Sequence, residues 1–388
     1  MTTFAPIFVP AALRAAVSDD AWLTAMLDVE WALAEAEADA GIVPPAAAAA
    51  ITGECRAELY DIAELSEQGR AAGNPVEPLV RALRERLGDD ARYVHLGATS
   101  QDVLDTAAML VARGALGLID AELEGLARVC AHLAETHRST PLAARTLLQQ
   151  AVPTTFGAKA AGWLVAVVEA RAGLRATRLP AQLGGAAGTL AALGDRGTHV
   201  LRLFARQLRL EEPVVPWHAH RWPVARLAAA LDLASAACGK IGLDVVLLTQ
   251  TEIGEVREAA GGVSSTMPQK QNPVRAIRAR ACARLAHASA GVLTSGEHEH
   301  ERAAGDWHAE WTALSDLLAF SGGAANAAHE CLDGLQVDAG RMRANMGDGL
   351  YAERAAFAEL GLVAPDGDYL GSAEAFVDRA LELYRETA

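Results

Sequence analysis

The chain is poor in aromatic residues, which make up 5% of its 388 residues, although hydrophobic residues reach 51%. A core of that kind is built from Ala, Leu and Val. It favours close-packed helices over a β-sandwich, which draws on more β-branched and aromatic side chains. Cysteine is scarce too: Cys55, Cys130, Cys238, Cys282 and Cys331 are odd in number and scattered, which excludes a disulfide framework and suits a reducing compartment. Positive charge is in deficit, with a formal net charge of −15. That argues against nucleic acid or an anionic membrane surface as partner, and it requires any site for an anionic ligand to be locally cationic. No uncharged run is long enough to span a bilayer, and no basic-then-apolar signal segment opens the chain, so a cytoplasmic protein is expected.

What the chain does have is helical periodicity. Ser18 reads as the cap of a helix over 18–40, with Asp19 and Asp20 in its first turn and Trp22, Met26, Val29, Leu33 and Ala36 on one face. Further helical patterns lie around 46–70 and 76–87. Long ones follow at 103–137, 154–178, 197–209, 223–252, 273–296 and 307–333, with a short helix or two after 346. Helices of this length point to a bundle. No strand pair with a turn signal is apparent. The glycine-rich Gln182 to Gly188 follows a helix and Pro180 rather than a strand, so it is not a dinucleotide fingerprint.

One polar stretch interrupts the apolar pattern: Gly261-Gly262-Val263-Ser264-Ser265-Thr266-Met267-Pro268-Gln269-Lys270-Gln271-Asn272-Pro273. Two glycines free its start and two prolines stiffen its end. Two hydroxyls, an ammonium and an amide lie between, a set able to hold a carboxylate and move a proton. Asn272-Pro273 reads as an N-cap and first helical residue, which would aim a partly positive helix end at the same place.

This stretch resembles the G-S-S-x-M-P-x-K-x-N loop of the fumarase/aspartase superfamily, with Val263 where that family has a third small residue. The resemblance extends to Ser18 to Pro45, Ala72-Gly73-Asn74-Pro75-Val76, Arg145 to Gly157, Leu179 to Leu190, Val215 to His218 and Glu299 to Trp311, all similar to the 3-carboxy-cis,cis-muconate cycloisomerase branch. It implies an all-α, fumarase/aspartase-like fold: an N-terminal helical domain (1–104), a central long-helix bundle (105–345) and a C-terminal segment (346–388) cut down relative to the family. It also implies a homotetramer whose active sites are built from the loops of three subunits.

The same resemblance assigns roles. Ser264 is the residue the family uses as proton-transfer base. A serine hydroxyl is as weak an acid as water, so it needs stabilising charge nearby; Lys270 would supply it. Ser265, Met267 and Asn272 belong to the same substrate-holding loop. Thr99-Ser100-Gln101-Asp102 looks like the T-S-Q-D motif whose hydroxyls and helix N-terminus grip substrate carboxylates, although Thr99 and Asp102 also read as a variant capping box, and His95 matches a histidine that adenylosuccinate lyase places in its active site, which implies a catalytic role. In Arg145-Thr146-Leu147-Leu148-Gln149, Leu147 stands where fumarase and adenylosuccinate lyase have a histidine that protonates the leaving group. A carboxylate, with a pKa near 4, leaves unaided, whereas hydroxide and amines do not. The loss therefore fits cycloisomerisation and argues against fumarase, aspartase or adenylosuccinate chemistry, with Arg145, Thr146 and Gln149 as polar contacts. Arg221, in His220-Arg221-Trp222 where Gln-Arg-Asp is the family pattern, and Arg302 complete the expected cationic shell. His298, His300 and His308 lack ligand-grade neighbours, and neither metal nor organic cofactor is expected. The rival readings are a β-eliminating lyase acting on a substituted succinate such as nitrosuccinate, and a non-catalytic helical scaffold.

Overall fold

A computed structural model of the chain describes residues 4–259, 262–263, 267, 270–294 and 298–387. The longer helices are α1 (Asp19–Asp39), α2 (Ser100–Thr136), α3 (Phe156–Arg175), α4 (Gly197–Leu208), α5 (Trp222–Leu248), α6 (Val274–Leu293), α7 (Asp306–Leu332) and α8 (Ala373–Thr387). The 37 residues of α2 span about 55 Å at 1.5 Å per residue. The expected 46–70 helix is broken: Pro45–Glu54 ends before a single tight turn at Ala57–Leu59, and Asp61 caps a separate helix, Ile62–Ala72.

The chain forms two compact units. The first comprises 1–118, 176–231 and 286–319; the second comprises 119–175, 232–285 and 320–388. In the first, Ser18 caps α1 by accepting from the Ala21 amide at 3.2 Å. The helix packs on Pro45–Glu54 and on α4, and Leu23, Met26, Leu27, Val29 and Leu33 are at most 2% exposed. Each such side chain contributes about 1.5–3 kcal/mol through burial. Glu30 and Glu37 lie in the same buried stretch of helix.

In the second unit α8 packs on α3. The expectation of no paired strands is corrected here. Strands β1 (Pro141–Thr146) and β2 (Gln149–Thr155) form an antiparallel hairpin. Short pairs also join β3 (Val256–Arg257) to β6 (Gln336–Val337) and β4 (Gly262–Val263) to β5 (Gln271–Asn272). The hairpin closes through Leu147 and Leu148, both at positive φ (51° and 64°). Such a two-residue turn calls for Asn-Gly or Asp-Gly, so leucines gave no turn signal. No described helix is long and apolar enough to cross a membrane.

Candidate active site

In the first unit the T-S-Q-D segment sits where a loop enters α2. Asp102 organises it. Its carboxylate accepts from the Thr99 amide at 3.0 Å, closing half of the capping box, and from the amides of Gly184 and Gly185 at 2.9 Å each. His218 Nε2 lies 2.6 Å from the same carboxylate. The glycine-rich segment thus serves as a backbone donor to an acid. Gly185 is at φ 68°, and a Cβ there would fall 2.7 Å from the Gly97 carbonyl oxygen, so only glycine lets the two loops approach.

With the loop pinned, Thr99 and Ser100 stand half-buried at the start of α2. Arg302, also half-buried, donates to Thr99 Oγ1 at 2.5 Å. Among the described residues it has no acidic partner within salt-bridge distance. His95 adopts a left-handed backbone conformation, φ 59°. Its Nδ1 lies 2.6 Å from Glu30 Oε1, and its side chain is 14% exposed. Burial acts against the imidazolium, but the charge and hydrogen bond of Glu30, with Asp102 beyond, outweigh burial and the opposing Arg84, and hold the His95 pKa above its ordinary value. His95, Thr99, Ser100 and Arg302 therefore belong to one neighbourhood, offering hydroxyls, a helix N-terminus and a guanidinium to a carboxylate.

Two residues expected to contact substrate are turned inward instead. Gln101 is 1% exposed, and its amide donates to the His218 carbonyl (2.8 Å) and to Asp105 (3.2 Å). Arg221 is 4% exposed. Nη1 and Nη2 donate to Asp105 at 2.7 and 2.9 Å, Nε donates to Glu310 at 3.1 Å, Nη2 also reaches Glu310, and the guanidinium lies 4.8 Å from the Trp217 ring centroid. Burial disfavours this cation, yet the two carboxylates raise its pKa further. A guanidinium whose nitrogens are all engaged by buried acids has no fork left for a ligand, so Arg221 is corrected to an internal strut.

In the second unit Arg145 makes a fork-to-fork pair with Glu255, which is fully buried, at 3.0 and 2.7 Å. Asn345 donates to the same acid at 2.8 Å. Thr146 and Gln149 are exposed on the hairpin. Ser264 and Ser265 lie outside the described residues. Met267 and Lys270 are exposed, and the Lys270 amide donates to the Met267 carbonyl at 2.9 Å. Lys270 and Asn272 line an open cleft of about 840 Å³ with Thr249, Arg257, Glu258 and Asp338. The N-terminus of α6 is already taken: Glu258, 3% exposed, accepts from the amides of Arg275 (3.2 Å) and Ala276 (2.8 Å). The positive helix end expected to face the Ser264 loop is thus capped from within by an acid.

Sequence reasoning missed Glu30, Glu255 and Glu310, the buried acids that pair with His95, Arg145 and Arg221, and Glu258, which caps α6. One signal was available for Glu30 and Glu37: they follow Met26 and Leu33 by four residues on α1, a helical spacing that continues the buried face. Among the described residues no group of His, Cys, Asp and Glu side chains is arranged to hold a metal ion.

Comparison with known proteins gives this geometry a context. Residues 10–285 match a family described as Lyase. The chain is 46% identical over 353 residues to 3-carboxy-cis,cis-muconate cycloisomerase of Bradyrhizobium diazoefficiens, covering 88% of this chain and 78% of that one. It is 46% identical over 372 residues to nitrosuccinate lyase of Streptomyces davaonensis, covering 90% and 78%. The crystal structure of 3-carboxy-cis,cis-muconate lactonizing enzyme from Pseudomonas putida superposes with a TM-score of 0.89 at 37% identity, over 99% of each chain. On these matches and on its helical architecture, the chain belongs to the fumarase/aspartase superfamily of lyases.

Proposed function

We propose that this enzyme is a cycloisomerase that converts 3-carboxy-cis,cis-muconate to 4-carboxymuconolactone, an intramolecular lyase step in protocatechuate breakdown. A substrate carboxylate adds across the conjugated double bond, and negative charge collects on the carbon beside a second carboxylate. Ser264 then delivers a proton to that carbon. Lys270 and the hydroxyls of Thr99, Ser100 and Ser265 hold the charged carboxylate while it develops, as fixed donors must. Arg302 binds a further carboxylate. The tricarboxylate approaches a subunit of charge −15, so this local supply of donors and cations decides binding. The working form is a homotetramer with active sites shared between subunits, in the cytoplasm; five cysteines, none in a disulfide, accord with a reducing compartment.

The observation that carries this reading is the hairpin tip. Leu147 and Leu148 are 96% and 78% exposed, so the position where related lyases keep a leaving-group acid presents only hydrocarbon. A carboxylate leaving group needs no such acid, and the same holds for lactone closure in reverse. Ser264→Ala tests the proton transfer. The variant is expected to keep its fold and lose lactonising activity by about 10³-fold, the scale of a missing proton-transfer group; full retained activity would refute the assignment.

The 46% identity to nitrosuccinate lyase supports a second reading, elimination of nitrite from nitrosuccinate to give fumarate, since nitrite also departs without a proton. Incubating the protein separately with each substrate, and following ultraviolet absorbance and released nitrite, separates the two.

A further inference from the structure

We propose that Glu30 is a positioning residue for His95: from inside the core it holds the Nδ1–H, so that the ring meets a substrate carboxylate through Nε2 as an imidazolium. The proposal rests on the reading of residues 95–102 as a carboxylate-binding segment and adds to it the acid that makes the segment work.

Glu30 is 1% exposed on α1. Oε1 touches His95 Nδ1 at 2.6 Å, and Oε2 is buried without a hydrogen-bond partner among the described residues. A carboxylate removed from water and given a single partner is tolerated only if that partner brings compensating charge. A neutral imidazole would bring a hydrogen but no charge; an imidazolium brings both. The groups facing the ring come from three elements: Glu30 from α1, Asp102 from the first turn of α2, and Arg84 from the helix Val76–Glu85. Two acids oppose one base, and Arg84 directs Nη2 to the Val94 carbonyl at 2.9 Å. The balance of the pocket favours a cation on His95.

Glu37 explains why Glu30 is the counter-ion. Seven residues further along α1, its carboxyl is fully buried and both oxygens lack hydrogen-bond partners among the described residues. Burial, reinforced by the charge of Glu30, pushes its pKa to about 9, so at neutral pH it keeps its own proton. Glu30 differs from Glu37 in having an imidazole nitrogen 2.6 Å from its carboxylate.

The consequence is chemical. A charge-assisted hydrogen bond from Nε2 is about twice as strong as a neutral one, and it strengthens as charge gathers on the carboxylate. No proton is transferred in this role: His95 stays protonated through the cycle.

The test uses the full-length protein. His95 is followed by ¹⁵N NMR across a pH titration in the wild type and in Glu30→Gln, whose side chain keeps the shape and an accepting oxygen but not the charge. In the wild type the midpoint is expected above that of free imidazole. In Glu30→Gln it is expected at least about one pH unit lower, a tenfold change in proton affinity. The kcat/KM of the variant on the muconate should then fall about tenfold near pH 8, with the deficit shrinking as pH is lowered and both rings protonate. A His95 midpoint that does not move overturns the proposal whatever the activity. Should the variant not fold, the wild type decides: a neutral His95 ring near pH 7.5 overturns it, and an imidazolium supports it. A shifted midpoint in a protein that never turns over the muconate supports the pair and overturns the function on which its role depends.

Discussion

Arg221 and Arg302 lie in the same unit and both were expected to bind substrate, but their surroundings differ in kind. Arg221 is enclosed by Asp105, Glu310 and the face of Trp217, while Trp307 donates to Asp105 and His298 lies beside Glu310. Arg302 touches the Thr99 hydroxyl and stays half-open. The first is a closed network whose charges answer one another; the second is an open one with donor capacity to spare. The number of acids already in place, not the residue type, separates the two surroundings.

The largest expected effect breaks the closed network. Arg221→Met should destabilise the protein by about 3–5 kcal/mol in urea unfolding, because it leaves Asp105 and Glu310 buried without their cation. An Arg221→Met protein of unchanged stability would erase the contrast. Arg302→Ala should do the opposite. Its stability should change by less than about 1 kcal/mol, while kcat/KM falls about 10²–10³-fold through loss of a charged donor to the carboxylate.

Glu37 sharpens the comparison with a charge that is silenced rather than paired. Its folded pKa of about 9 stands above its ordinary 4.5. The folded state therefore holds a proton that the unfolded chain releases over that window. Stability is full below the lower value and falls as pH rises toward the upper one, by about 1.4 kcal/mol per pH unit. Glu37→Gln removes this fall. It should leave stability at pH 4 nearly unchanged and raise it by about 3 kcal/mol at pH 7, as measured by unfolding at the two pH values.

The smallest effect concerns the hairpin. Leu147 and Leu148 at positive φ cost about 1 kcal/mol each relative to residues suited to the left-handed region. Replacing the pair with Asn-Gly should stabilise the protein by about 1–2 kcal/mol. No gain would mean that the leucines recover their strain elsewhere.

The helices were readable because their cues are local. Ser18, Asp19 and Asp20 begin α1 where the cap is found, and each long periodic stretch became a helix within a few residues of its expected ends. The hairpin was not readable, since its turn residues contradict the local preference. The fate of Arg221 was not readable either, because its partners lie 116 and 89 residues away and a guanidinium looks the same in sequence whether paired or free. Glu258 hid for the same reason: it caps a helix that begins sixteen residues later. The T-S-Q-D segment was legible as a cap, and Asp102 accepts from the Thr99 amide as a capping residue does.

The most direct measurement is product analysis by proton NMR after the purified protein is incubated with 3-carboxy-cis,cis-muconate, beside a parallel incubation with nitrosuccinate. The expected product is 4-carboxymuconolactone, formed at a turnover of about 1–10³ per second, with no nitrite from the second tube. Unchanged muconate together with nitrite and fumarate would contradict it.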